Sequence, residues 1–268
     1  MNVYEVSQGT SPVILAFPHT GTEVPQEIWN RLNANGQILA DTDWHIHDLY
    51  AGLLPQATTV RATFHRYVID ANRDPEGTSL YPGQNTTGLV PETDFDGKPI
   101  WKEGEMPSEA DIAYRVQNFH APYHAALLAE IERVKALHGV AVVYDCHSIR
   151  SLIPFLFEGR LPDFNTGTDM GRTCDPAIEA AAADVAAAAA ERRRRVVCSP
   201  LWAARAALSF ATARFSRSPA ADRRAARALR VAHGKRRRRT RRRRGHSGAP
   251  ALCFCSIEEL GIACITSI

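Results

Sequence analysis

An α/β fold, with a mixed, mostly parallel sheet flanked by helices, is what this 268-residue sequence predicts. Three observations predict it. Short apolar runs that end in polar groups recur along the first half: VILAF at 13–17, RYVID at 66–70 and VAVVYD at 140–145. Runs of that length without polar alternation read as strands buried on both faces, the habit of parallel sheets. A long segment of helical period lies between the second and third runs, and a further helical segment follows the third. Strand, helix and strand alternating in this way argue for an α/β sheet.

Each element has its own justification. VILAF is followed by the polar turn PHTGTEVP, and RYVID by ANRDPEGTS. The stretch 77–107, rich in Gly, Pro, Thr and Asp, reads as a long surface excursion. Ser108 with Asp111 three residues on is an N-cap signature for a helix reaching about His138. Ile112, Val116, Phe119, Tyr123, Leu127, Ile131, Val134 and Leu137 give that helix one apolar face. Pro122 is expected to kink it and Gly139 to end it. GVAVVYDCHS opens the next strand, LPDFNTGTDMG is a Gly/Asn/Asp loop, and CDPAIEAAAADVAAAAAE reads as a helix.

Composition divides the chain. Hydrophobic residues make up 45% and charged residues 23%, as in ordinary globular proteins. The net charge of +3 conceals an asymmetry: residues 1–191 carry 12 Lys and Arg against 26 Asp and Glu, whereas residues 192–251 carry 20 basic residues against Asp222 alone. RRRR at 192–195, KRRRR at 235–239 and RRRR at 241–244 repel one another and favour a solvated, low-complexity tract. Arg, Ala, Pro and Gly share GC-rich codons, so a GC-rich gene read in a shifted frame accounts for the same composition. The expected organisation is an α/β domain over 1–191, the Arg/Ala-rich tract over 192–251 and a short apolar tail over 252–268. Arg blocks bind phosphate without sequence readout. The tract has few aromatics for base stacking, so specific nucleic-acid recognition is not expected. The six cysteines show no paired CxxC spacing, and VILAF is too short for a membrane span. A reduced, cytoplasmic setting follows as the expectation.

The chemistry gathers at strand ends, where α/β sheets collect their ligands. His19 follows VILAF and His147 follows VAVVYDC; neutral imidazole suits zinc, and each can equally be a strand-end histidine bonded to a backbone carbonyl. DTDWHIHD at 41–48 packs three carboxylates and two histidines into eight residues. It offers Asp43 as a third ligand, or else a helix start capped by Asp41 or Thr42. Glu23 is a further candidate. In RYVIDANRD, Arg66, Asn72 and Arg73 suit a substrate carboxylate, because guanidinium grips it with two parallel bonds; alternatively, Arg73 pairs with Asp70 or Asp74. His120 and His124 have the i,i+4 spacing of a helical zinc pair, but Pro122 lies between them and the HExxH glutamate is missing. His124 therefore reads better as lining the helix–sheet junction.

PHTGTEVP, DTDWHIHDLY, RYVIDANRDP, PYHAALL, YDCHS and LPDFNTGT, in this order, resemble the N-formylglutamate amidohydrolase (deformylase) family over about residues 10–180. That family in turn resembles the zinc-dependent exopeptidases. The resemblance implies a zinc-exopeptidase-like fold holding Zn2+ or another divalent metal on His19, Asp43 and His147. It implies substrate binding by Arg66, Asn72, Arg73, Ser148 and Asn165, and Asp43, Asp145 or Glu23 as the carboxylate that moves protons. The implied reaction is hydrolysis of N-formyl-L-glutamate to formate and L-glutamate, a late step of histidine breakdown. Another N-acyl amino acid or a peptide C-terminus is the alternative substrate. Family members continue with a Gly-Gly-x-x-Thr-Arg segment and a His-Ala-Ile-Gln-x-Glu strand whose Glu stands where the exopeptidases keep their general base. Neither occurs after residue 191, so weak or absent turnover is expected of this chain.

Overall fold

The computed structural model describes residues 1–76, 88–156, 158–161, 164–168, 173–193 and 262–267. Within them, six strands form one sheet in the order β1-β3-β2-β4-β6-β5. These are β1 (Tyr4–Ser7), β2 (Val13–Phe17), β3 (Thr58–Ala62), β4 (Val142–His147), β5 (Phe164–Gly167) and β6 (Ile262–Ser267). The inner pairs β3/β2, β2/β4 and β4/β6 are parallel, while β1 and β5 close the two edges antiparallel. The sheet is mixed and mostly parallel, as the sequence predicts. All five residues of β2 are buried, as its unbroken apolar run requires of a central strand.

The helix over 108–138 forms with one modification. Ser108 caps α3 (Glu109–Arg115) in a reciprocal capping box with Asp111. A π-helical turn, Val116–His120, joins it to α4 (Ala121–His138). In that turn the Ala121 N–H bonds the Val116 carbonyl, five residues back. Pro122, which has no N–H to give, sits in the first turn of α4, directly after that π turn. Gly139 ends α4 in the left-handed conformation at φ 73°, which costs a residue without Cβ nothing. Phe119, Tyr123, Leu127, Ile131 and Val134 bury the predicted stripe against Ile14, Ala16, Val60, Ala62 and Val143. Leu137 leaves it, at 64% exposure. The other face has a smaller cluster of Val13, Leu15, Phe17 and Cys146, covered by Ile46 of α2 (Ile46–Tyr50). α5 (Pro176–Arg193) forms where the Ala-rich run predicts it.

Four expectations need correction. RYVID is wholly buried but is a turn, with Val68 N–H bonded to the His65 carbonyl. The strand is the preceding TTVRA, whose burial alternates. A short apolar run alone cannot separate a strand from other buried backbone. LPDFNTGT contains β5 and is not simply a loop. The excursion over 77–107 is partly interior: Phe95, Ile100 and Trp101 are buried, while 77–87 lie outside the described residues. In DTDWHIHD neither Asp41 nor Thr42 caps α2; the N-cap is His45. The segment 252–268 supplies β6, paired parallel to β4 and antiparallel to β5. The Arg/Ala-rich tract lies outside the described residues from 194 onward.

Candidate metal and substrate site

The site assembles at the carboxyl ends of β2 and β4. His19 stands two residues past β2, in a turn whose Gly21 passes against neighbouring backbone. A Cβ there would meet the Phe64 carbonyl oxygen at 2.4 Å, so only glycine lets the turn close. His147 is the last residue of β4. Asp43 comes from a segment bounded by Leu39 at φ 55° and His45 at φ 60°. Two non-glycine residues in the left-handed region are a strained way to make a turn, and such strain collects at functional sites. The Asp43 N–H, bonded to the His19 carbonyl at 3.0 Å, fixes the turn against the β2 end.

His19, Asp43 and His147 form one buried group of potential metal ligands. His19 Nδ1 lies 3.1 Å from His147 Nδ1; Asp43 Oδ2 lies 3.1 Å from His147 Nδ1 and 3.9 Å from His19 Nδ1. Tetrahedral ligands at about 2.0–2.1 Å from an ion stand about 3.3 Å apart, so the spacing suits one. The outer contacts orient the same atoms. His19 Nε2 donates to Asp70 Oδ1 at 2.6 Å, and His147 Nε2 to Asp145 Oδ2 at 3.1 Å. A carboxylate can only accept, so each ring carries a proton on Nε2, and with a cation at the shared point each would present its Nδ1 lone pair inward. Two lone pairs facing each other at 3.1 Å require a proton or a cation between them.

Electrostatics supplies the proton when no cation is present. Burial pushes His147 down, but Asp145 and Asp43 outweigh it and raise the ring to about 10. Burial and then the Arg66 charge lower His19. Asp70, fully buried, is pushed up by burial but held well below the usual carboxylate range by Arg66 and His19. It takes bonds from His19, an Arg66 guanidinium nitrogen and the Asn72 N–H. Nothing in the sequence marked this role directly. The available signal was a lone acid closing an apolar run, since a buried carboxylate needs partners.

The remaining candidates are distributed as follows. Asn72 Nδ2 lies 3.2 Å from His147 Nε2, beside the ligand group. Arg73 Nε is 3.9 Å from Asp70 Oδ2, the structural pairing foreseen for it. Arg66 is buried, tied to Asp70 and lying 4.7 Å over the Phe95 ring. Ser148 follows His147, partly exposed. Asn165 of β5 is in register with Thr266 of β6, which is in register with His147, so all three share one rung. Asp145 orients His147. Glu23 is exposed, its backbone bridged to Phe64, and the structure does not bring it to the group. Asp41 accepts from the Tyr67 hydroxyl at 2.8 Å and the Phe95 N–H at 3.0 Å, a structural use. His120 and His124 do not converge on an ion: their Nε2 atoms meet the Arg73 and Ala71 carbonyls.

Comparison with known proteins bears on the family and the fold. The N-formylglutamate amidohydrolase family matches residues 11–226. An N-formylglutamate deformylase of Pseudomonas aeruginosa is 43% identical over 180 residues, which is 66% of this chain and 67% of that one. One from Pseudomonas putida is 41% identical over 177 residues, 66% of each. The aligned part thus spans about two thirds of these relatives. The crystal structure of an N-formylglutamate amidohydrolase from Ralstonia eutropha superposes with TM-score 0.59 at 21% identity, over 87% of this chain and 98% of its own. A gene product of Agrobacterium tumefaciens gives 0.55 at 19%, over 99% and 84%. These two show the fold.

Proposed function

The chain belongs to the N-formylglutamate amidohydrolase family, and on that premise we propose that it hydrolyses N-formyl-L-glutamate to formate and L-glutamate. The observation that carries this reading is the convergence of His19, Asp43 and His147, from three separate family-like motifs, in one buried group. These three would hold a divalent ion, zinc by the nature of the donors. Bound there, such an ion would supply Lewis-acid polarisation of the formamide oxygen and would acidify an attacking water towards a pKa of ~7. Asp70 and Asp145 fix the tautomers of the two histidines. Asn72 and Arg73 hold the substrate carboxylates beside the group, with Ser148 and Asn165 along the same rim. Arg66, committed to Asp70, adds positive charge from behind instead of a direct grip.

Proton transfer sets the expected rate. Asp43 is used as a ligand, Asp145 orients His147 and Glu23 is exposed. Glu258 and Glu259 lie outside the described residues. The general-base role therefore has no occupant among the described residues, and loss of such a base costs about 10²–10⁴-fold. The reading is of a metal-holding, slow member of the family acting late in histidine breakdown, in the cytoplasm. Among the described residues no helix is long and apolar enough to cross a membrane.

Metal content measured together with formate release tests this. Zinc near one per chain with slow formate release is the expected result; a chain without metal, or turnover at full family rates, overturns it. Comparing formyl, acetyl and succinyl glutamate decides the acyl group. A preference for either larger acyl group favours the alternative substrate class.

A further inference from the structure

The geometry points to His120 and His124 as positioning residues for substrate: two helix histidines that clamp the backbone on either side of Asn72. The inference rests on the proposed reading of Asn72 and Arg73 as the carboxylate-holding pair.

Two hydrogen bonds make the clamp. His120 Nε2 donates to the Arg73 carbonyl at 2.9 Å, and His124 Nε2 donates to the Ala71 carbonyl at 2.8 Å. A carbonyl only accepts, so both rings carry their proton on Nε2. Burial lowers the pKa of each, which keeps both neutral at pH 7. Their ring centroids are 4.2 Å apart, so each ring limits the motion of the other. Between the clamped carbonyls stands Asn72. Its N–H bonds Asp70 Oδ1 at 2.9 Å, and its side-chain nitrogen is 3.2 Å from His147 Nε2. One chain of bonds therefore runs from the two helix histidines, through the 71–73 backbone and the Asn72 N–H to Asp70, which accepts from His19 Nε2 of the ligand group.

The helix is built to deliver both donors. The π turn ends at His120, and α4 begins one residue later. Such turns recur at functional sites because the extra residue re-aims the side chains that follow. Neither ring serves the proposed hydrolysis as a ligand, acid or base. Their common object is the loop that presents Asn72 and Arg73.

The test uses the full-length, zinc-loaded chain titrated with L-glutamate by calorimetry, with KM and kcat for N-formylglutamate measured alongside. His120→Leu and His124→Leu remove the donors; His120→Gln and His124→Gln keep an N–H at similar reach. Each Leu variant is expected to weaken glutamate binding and raise KM about five- to tenfold, the worth of one well-placed hydrogen bond. Bound zinc and kcat should change by less than about twofold, and the Gln variants should recover most of the loss. Leu variants that bind like the parent, or Gln variants no better than Leu, overturn the clamp. A parent chain that holds zinc but binds no glutamate overturns the carboxylate-holding reading and the clamp with it. Long-range 1H–15N spectra check the parent without substitution: both rings should carry Nε2–H at pH 7, and a neutral Nδ1–H tautomer in either overturns the clamp.

Discussion

Two pairs of histidines in this molecule are put to opposite uses. His19 and His147 are 128 residues apart and meet with Nδ1 atoms 3.1 Å apart and an aspartate oxygen beside them. His120 and His124 have the spacing of a helical zinc pair, and their ring centroids lie 4.2 Å apart, yet both spend their polar edge on backbone carbonyls. Proximity is similar in the two pairs; the difference lies in what the far nitrogen meets. A carboxylate behind Nε2 turns the Nδ1 lone pair towards a shared point, as for His19 with Asp70 and His147 with Asp145. A carbonyl ahead of Nε2 consumes the donor in holding a loop. Metal competence follows lone-pair direction, which sequence spacing does not report.

The largest effect that separates the pairs is loss of a ligand. His147→Ala or His19→Ala should reduce bound zinc by more than about 100-fold in affinity, beyond the usual outer-contact effect. The His120 and His124 variants should keep their metal. Equilibrium dialysis against a zinc buffer measures both, and metal loss in the helix variants would break the distinction.

Asp70→Asn comes next. It keeps the shape but removes the negative charge shared by His19 and Arg66. Zinc affinity should fall about 10–100-fold. Leaving the buried Arg66 uncompensated should cost about 3–5 kcal/mol of stability in urea unfolding.

The pH dependence sharpens the same contrast. His147 is raised to about 10 in the metal-free chain, so near pH 7 an entering cation must displace a proton. Calorimetry in buffers of different ionisation enthalpy should show about one proton released per zinc, with affinity rising as pH rises from 7 towards 9. Because the folded value lies above the unfolded one, about 6.5, this group's contribution to metal-free stability is fully present below pH 6.5. It is lost as pH rises through about 10. The metal-free chain should therefore lose thermal stability over that window, and the zinc-bound chain should lose less. His120 and His124, lowered by burial, release nothing on metal binding.

The smallest effect tests whether the helix carrying the clamp is locally autonomous. Ser108→Ala removes the cap of α3 and should cost about 1 kcal/mol, with zinc affinity unchanged. A change in metal binding would mean that the distant cap and the ligand group are coupled.

Much of this protein can be read from local chemistry. VILAF and VVYDCH declared themselves as strands because a parallel strand buried on both faces must be apolar throughout. Ser108, Asp111 and Gly139 set the helical span because caps and left-handed turns are local demands on the backbone. His19 and His147 were legible as ligand candidates because polar groups at the ends of such strands face a crevice, and Asp43 because DTDWHIHD crowds three carboxylates and two histidines into eight residues. The sequence could not say that RYVID is a buried turn, since hydrophobicity specifies burial and not dihedral angles. Nor could it give Asp70 its place as the shared anchor of His19, Arg66 and the Asn72 N–H. The insertion of β6 between β4 and β5, and the use of His120 and His124 on carbonyls more than forty residues away in the chain, were equally hidden. Those facts depend on the direction of lone pairs and donors across distant segments. Only the folded chain sets those directions.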